Sequence, residues 1–131
     1  MAETPTPLVL ALTTEASAAR AEALARQLLE RGLAACVALR PVRSLYRWQG
    51  QLEDSEEVQL LIKSHPARLA ALAEAVQALH SYSTPEWITW AADASAAYGA
   101  WVAESCAPAS INPGGAAPAP AGSPGGEAPA G

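Results

Sequence analysis

The chain has no phenylalanine, one methionine and only two cysteines, and these shortages narrow what it can be. Cys36 and Cys106 stand seventy positions apart without a Cys-x-x-Cys pair, so neither a disulfide framework nor a thiolate zinc cage is signalled. That usage suits a reducing compartment, and the expected location is cytoplasmic. Basic residues are scarce as well: eight Lys and Arg stand against thirteen Asp and Glu, a formal charge of −5, with no basic run. Without a cationic footprint, nucleic acid is not an expected partner. Long hydrophobic runs are missing, since the first apolar stretch covers only residues 8–12 and follows Glu3 where a signal peptide would carry cations. Neither export nor a membrane span is expected.

What is present suffices for one domain, because hydrophobic residues make up 50% of the 131 positions. From Ala107 onward the chain is almost entirely Ala, Pro, Gly and Ser, with Ile111 the only large apolar residue and Glu127 the only charge. Such a segment cannot bury enough surface to offset the entropy of ordering it. The expected organisation is a folded domain over 1–106 and a disordered tail over 107–131.

Within the domain, Leu8-Val9-Leu10-Ala11-Leu12 reads as a central strand buried on both faces. Residues 17–31 carry Ala21, Leu24, Ala25, Leu28 and Leu29 on one side and end at Gly32, the pattern of an amphipathic helix with a C-terminal stop. A strand over residues 34–39 should be broken or bulged by Pro41 before continuing to Trp48, and Gln49-Gly50 is the expected turn. Val58, Leu60 and Ile62 alternate with polar residues on the return arm, with Glu53, Asp54, Glu56 and Glu57 near the hairpin tip as a solvated face or a weak cation collector. Ser64 is the expected cap of a second helix, with Pro66 in its first turn and a stripe of Leu69, Leu72, Val76 and Leu79. A fourth strand over 86–90 and a closing helix over 95–104 complete the order βαββαβ plus a terminal helix. Short right-handed crossovers turn that order into an α+β, ferredoxin-like sandwich with helices on one face.

The opposite face requires cover. Tyr46 and Trp48 alternate with Leu45 and Arg47, and the fourth strand adds Trp87 and Trp90, so a lone chain would expose aromatic area and long edges. An oligomer of unspecified order is expected from this.

Four ordered segments, residues 32–37 (Gly-Leu-Ala-Ala-Cys-Val), 44–50 (Ser-Leu-Tyr-Arg-Trp-Gln-Gly), 57–63 (Glu-Val-Gln-Leu-Leu-Ile-Lys) and 80–86 (His-Ser-Tyr-Ser-Thr-Pro-Glu), resemble the landmarks of the CutA family. The resemblance spans about residues 8–105 and implies a PII-like homotrimer linked to divalent-cation tolerance, with copper or another divalent metal as a possible ligand and no required cofactor. The family's His-Pro-Tyr stretch reads His80-Ser81-Tyr82 here. A second Cys that some members carry near the end of strand one is replaced by Leu12 and Thr13.

Cys36, on a buried strand, is either a small hydrophobe or, by the resemblance, a soft copper ligand. His80 either meets the C-terminal end of the second helix as a cation or binds metal through its imidazole. His65 reads as an exposed loop residue. The resemblance also gathers Tyr46, Trp48, Lys63, Tyr82 and Glu86 at a cleft between subunits, as a small-ligand pocket or as interface glue. No enzyme is expected: residues 13–17 offer neither Gly nor Arg to cradle a phosphate, and a buried Cys36 would be a poor nucleophile. Two functions remain open, a trimeric metal-tolerance protein that binds metal ions and a PII-like signalling module binding a small anion or metabolite.

Overall fold

A computed structural model describes residues 4–106; the tail expected over 107–131 lies outside them. The elements run β1 (Thr6–Glu15), α1 (Ala18–Glu30), β2 (Cys36–Trp48), β3 (Gln51–Ser64), α2 (Leu69–Leu79), β4 (Ile88–Ala94) and α3 (Ala96–Ser105). Across the sheet the strands lie in the order β2-β3-β1-β4, every neighbouring pair antiparallel. This is the expected α+β ferredoxin-like arrangement with a C-terminal helix.

Strand alternation sorts the two faces. Ala11 and Thr13 of β1 pair with Ile62 and Leu60 of β3, and all four are buried. The apolar three form a core with Leu24 and Leu28 of α1 and Leu72 and Val76 of α2. Each fully buried Leu or Ile there stabilises the fold by about 1.5–3 kcal/mol. Leu8 and Leu10 point to the other face, where Val102 of α3 and Cys106 just beyond its end pack on them. Helices therefore cover both faces, not one as expected, because the apolar even positions at the start of β1 need a cover of their own. Elsewhere the second face is open: Ile88 is 49% exposed and Trp90 43%, Ile88 opposite Leu12 and Trp90 opposite Leu10 in register.

Local chemistry accounts for most element ends. Ser17 caps α1 by accepting the Arg20 N–H. The helix stops where Gly32 takes φ 69°, with Leu33 N–H reaching the Leu28 carbonyl and Gly32 N–H the Leu29 carbonyl, a Schellman closure. Gln49 and Gly50 both have positive φ, 51° and 78°, the twist that a two-residue hairpin demands.

Three sequence expectations need correction. Pro41 neither breaks nor bulges β2, whose register with β3 is unbroken from Cys36 opposite Lys63 to Trp48 opposite Gln51. β2 is an edge strand, and counting back from the turn places the Pro41 nitrogen on the open side, where no ladder bond is lost. Ser64 does not cap a helix: it ends β3 fully buried, donating to the Leu33 carbonyl at 2.7 Å. His65 takes the cap, its Nδ1 accepting the Ala67 N–H ahead of a 3₁₀ turn, Pro66–Arg68. The fourth strand begins two residues later than expected, since Trp87 packs on the α1/α2 core before β4 starts.

The α3 packing rests on Gly99, where an added Cβ would overlap the Thr6 side chain. Gly99→Ala should therefore destabilise the protein by about 1–3 kcal/mol through overpacking, despite alanine's better helix propensity. Denaturant titration measures this, and an unchanged midpoint would show that α3 does not close on β1.

Candidate functional site

Three consecutive residues at the end of β1, Thr13, Thr14 and Glu15, are buried beside the segment that leaves α2. His80 caps α2 by donating its N–H to the Val76 carbonyl, and its ring turns inward to full burial. The Tyr82 N–H donates to His80 Nδ1 at 3.0 Å, so that nitrogen carries no proton. The remaining Nε2–H points at the Thr14 carbonyl, 2.7 Å away, with Thr13 Oγ1 at 3.1 Å. The ring is thus a neutral imidazole, and its 3.5 Å approach to Glu15 Oε2 is a contact, not an ion pair.

Glu15 is the costlier group, a carboxylate whose side chain is only 2% exposed. Ser81 N–H donates to Oε2 at 3.0 Å, Ala16 N–H to Oε1 at 3.1 Å, and the Ser81 hydroxyl to Oε1 as well. Burial pushes its carboxyl up, but the hydrogen bonds from Ser81 and Ala16 outweigh that effect and hold it below the ordinary value of 4.5. Tyr82 leaves this network toward the sheet. Its ring lies 5.0 Å from that of His80, and its hydroxyl donates to Glu57 Oε2 of β3 at 2.6 Å. Burial, then the bond to Glu57 and that group's charge, push its ionisation well above the usual 10.

Thr14 and Tyr82 of this network form one wall of a cleft of about 670 Å³, completed by Ser44, Tyr46, Trp48, Glu57 and the 83–86 segment. Tyr46 hydrogen-bonds Ser55 at 3.1 Å. The lining includes the carboxylates of Glu57 and Glu86 and no Lys or Arg. A second hollow, of about 480 Å³, opens beside the start of α1. Its Arg43 already holds Asp54 through two bonds of 3.0 and 2.9 Å.

Of the residues expected at a cleft, Tyr46, Trp48, Tyr82 and Glu86 converge here. Lys63 does not: it lies opposite Cys36 and Leu10, toward the other end of the sheet. Cys36 and His80, the expected metal ligands, are not brought together either. Cys36 shares the row of Leu10, whereas His80 sits against Thr13 and Thr14, up to about 13 Å further along β1. Both His80 nitrogens are occupied, and the described residues contain no group of three or more His, Cys, Asp or Glu side chains placed to hold a metal. Glu15 is the residue that sequence reasoning missed, while Glu57, read only as one of the hairpin-tip acids that form a solvated face or weakly collect cations, proves to line the cleft. Glu57 was legible in principle, because alternation puts it on the face away from Val58, with Tyr46 and Trp48.

Residues 9–105 match the family described as CutA1 divalent ion tolerance protein. The chain belongs to the CutA1 family. It is 49% identical over 79 residues to the divalent-cation tolerance protein CutA of Pectobacterium atrosepticum, covering 60% of this chain and 72% of that one. The solved CutA of Synechococcus elongatus matches with a TM-score of 0.73 at 37% identity, over 78% of this chain and 92% of that one. The Archaeoglobus fulgidus structure, named a periplasmic divalent cation tolerance protein, also gives 0.73, at 30% identity over 76% and 98% of the two chains. The expected cytoplasmic location is withdrawn on this finding. Two distant cysteines do not specify a compartment when a CutA1 relative carries a periplasmic name.

The two perturbed groups predict opposite limbs of a pH–stability profile. Glu15 ionises more readily folded than unfolded, so its contribution is complete above 4.5 and lost as pH falls below it. Tyr82 holds its proton more tightly when folded, so its contribution is complete below 10 and lost as pH rises above it. Glu15→Gln should flatten the acid limb and Tyr82→Phe the alkaline limb. Denaturant titrations across pH check both, and a Tyr82→Phe profile as steep as wild type above 10 would contradict the Tyr82–Glu57 bond.

Proposed function

We propose that this chain acts in divalent-cation tolerance as a non-enzymatic homotrimer whose cleft takes a small cationic ligand, with a divalent metal ion as the first candidate. The observation that carries the ligand class is the lining: Glu57 and Glu86 supply negative charge, Tyr46, Trp48 and Tyr82 supply aromatic walls, and no Lys or Arg is present. Carboxylate and hydroxyl oxygens suit hard or hydrated divalent ions, and aromatic faces suit organic cations. A small anion, the other reading of the cleft, would meet two carboxylates and no counter-charge from this chain. A metabolite bearing a cationic group fits the same walls. A soft copper site at Cys36 and His80 has no geometric support, because the two stand apart and the imidazole nitrogens are engaged. The non-enzymatic reading rests on the same engagement, which leaves His80 unable to serve Cys36 as a base.

The trimer reading rests on exposed apolar surface. Ile88 and Trp90 lie open on the sheet face that carries α3, and β2 presents a 13-residue edge. Both features favour association with further copies of the chain. Trp48, half exposed in the single chain, is expected to bury against a neighbour.

Light scattering at micromolar concentration should return three times the chain mass; a monomer mass would sink the assembly. Trp48→Ala should weaken the trimer by about 3–5 kcal/mol per buried ring, far more than Cys36→Ala does. Calorimetry with zinc and copper ions tests the cleft. The Glu57→Gln/Glu86→Gln protein should bind at least about tenfold more weakly, each lost charge-assisted contact being worth about 1.5–3 kcal/mol, while Cys36→Ala binds as wild type. The reverse pattern would return the site to the cysteine.

A further inference from the structure

We propose that Glu15 and His80 are positioning residues of the cleft, a buried latch that ties the irregular segment carrying one of its walls, residues 81–86, to the end of β1; this rests on the cleft reading above. The segment between α2 and β4 has no helix or strand of its own, so regular backbone ladders do not hold it. Its first residues are held instead by two side chains. Ser81 N–H ends on Glu15 Oε2 and Tyr82 N–H on His80 Nδ1, both at 3.0 Å. His80 is itself bound to the Thr14 carbonyl, and Thr14 lines the cleft. Tyr82 then crosses to Glu57, while residues 83–86 continue the wall. The Glu15–His80 pair lies behind this wall, outside the lining, and acts on the cleft only through it.

The latch requires the carboxylate. The two backbone N–H groups reach different oxygens, Ala16 on Oε1 and Ser81 on Oε2. An amide at this position replaces one oxygen with a donor and leaves one of those N–H groups without an acceptor in a buried site. A protonated carboxyl has the same defect. The titratable groups facing Glu15 are His80 and Tyr82, with Glu57 of β3 behind Tyr82.

Amide hydrogen exchange on the full-length wild-type protein and Glu15→Gln tests this without any ligand. Ser81 and Tyr82 should lose about tenfold or more protection in Glu15→Gln, while amides of the β1/β3 ladder and of α2 keep theirs. In wild type the same two amides, corrected for intrinsic rate, should lose protection as pH falls through the Glu15 titration, and in Glu15→Gln they should not respond. Ser81→Ala removes only the hydroxyl donor and should release the segment less than Glu15→Gln does. Unchanged exchange at Ser81 and Tyr82 in Glu15→Gln overturns the latch. So does a loss spread evenly over sheet and helices, the mark of general destabilisation. A wild-type protein that binds no zinc or copper ion refutes the metal-ion reading of the cleft and leaves the latch standing, since the exchange result does not depend on it.

Discussion

Everything in this fold hangs on β1, which is paired on both edges and covered at its start on both faces. Its odd positions, from Val9 to Glu15, face α1 and α2; its even positions, from Leu8 to Thr14, face α3 and then the open side of the sheet. Because side chains alternate strictly along a strand, a one-residue slip would exchange those environments and bury Leu12 where Thr13 now bonds His80. Register is therefore set by hydrophobic burial at one end of β1 and by buried polar bonds at the other.

The polar end explains how a binding wall can be built from irregular chain. A buried carboxylate is costly unless hydrogen bonds compensate for its lost hydration, and here two backbone amides and a hydroxyl do so. Those donors come from both sides of the gap between β1 and the α2–β4 connection, so satisfying Glu15 also joins them. The same economy appears at His80, which satisfies the Tyr82 N–H and the Thr14 carbonyl with one neutral ring. A residue used in this way has no nitrogen left for a metal. Ligand chemistry passes to the groups in front of it, where Glu57, Glu86 and the aromatic rings line the cleft.

The long β2–β3 hairpin is the second determinant. It carries Tyr46, Trp48 and Glu57 to the cleft on one face and the Arg43–Asp54 pair on the other. That exposed pair contributes little to stability but keeps charge near an edge that could otherwise pair without selection. The apolar residues left open on the sheet, Ile88 and Trp90 foremost, are where a single chain is incomplete.

The sequence by itself determined the element order, the helix stop at Gly32, the two-residue turn and the inward set Val58, Leu60 and Ile62, because each follows from short-range rules of periodicity and backbone freedom. It also marked Tyr46, Trp48, Tyr82 and Glu86 through resemblance. Only the tertiary structure decided which polar residues meet. Glu15 and Ser81 are 66 positions apart, and nothing local in either announces the bond; Ser64, a good cap by its neighbours, is drawn into the core by the Leu33 carbonyl. Pro41 is harmless only because β2 lies at the edge of the sheet, and Lys63 misses the cleft only because β3 places it in the row of Cys36 and Leu10. Such outcomes depend on strand order and register, which long-range burial selects and local sequence does not encode.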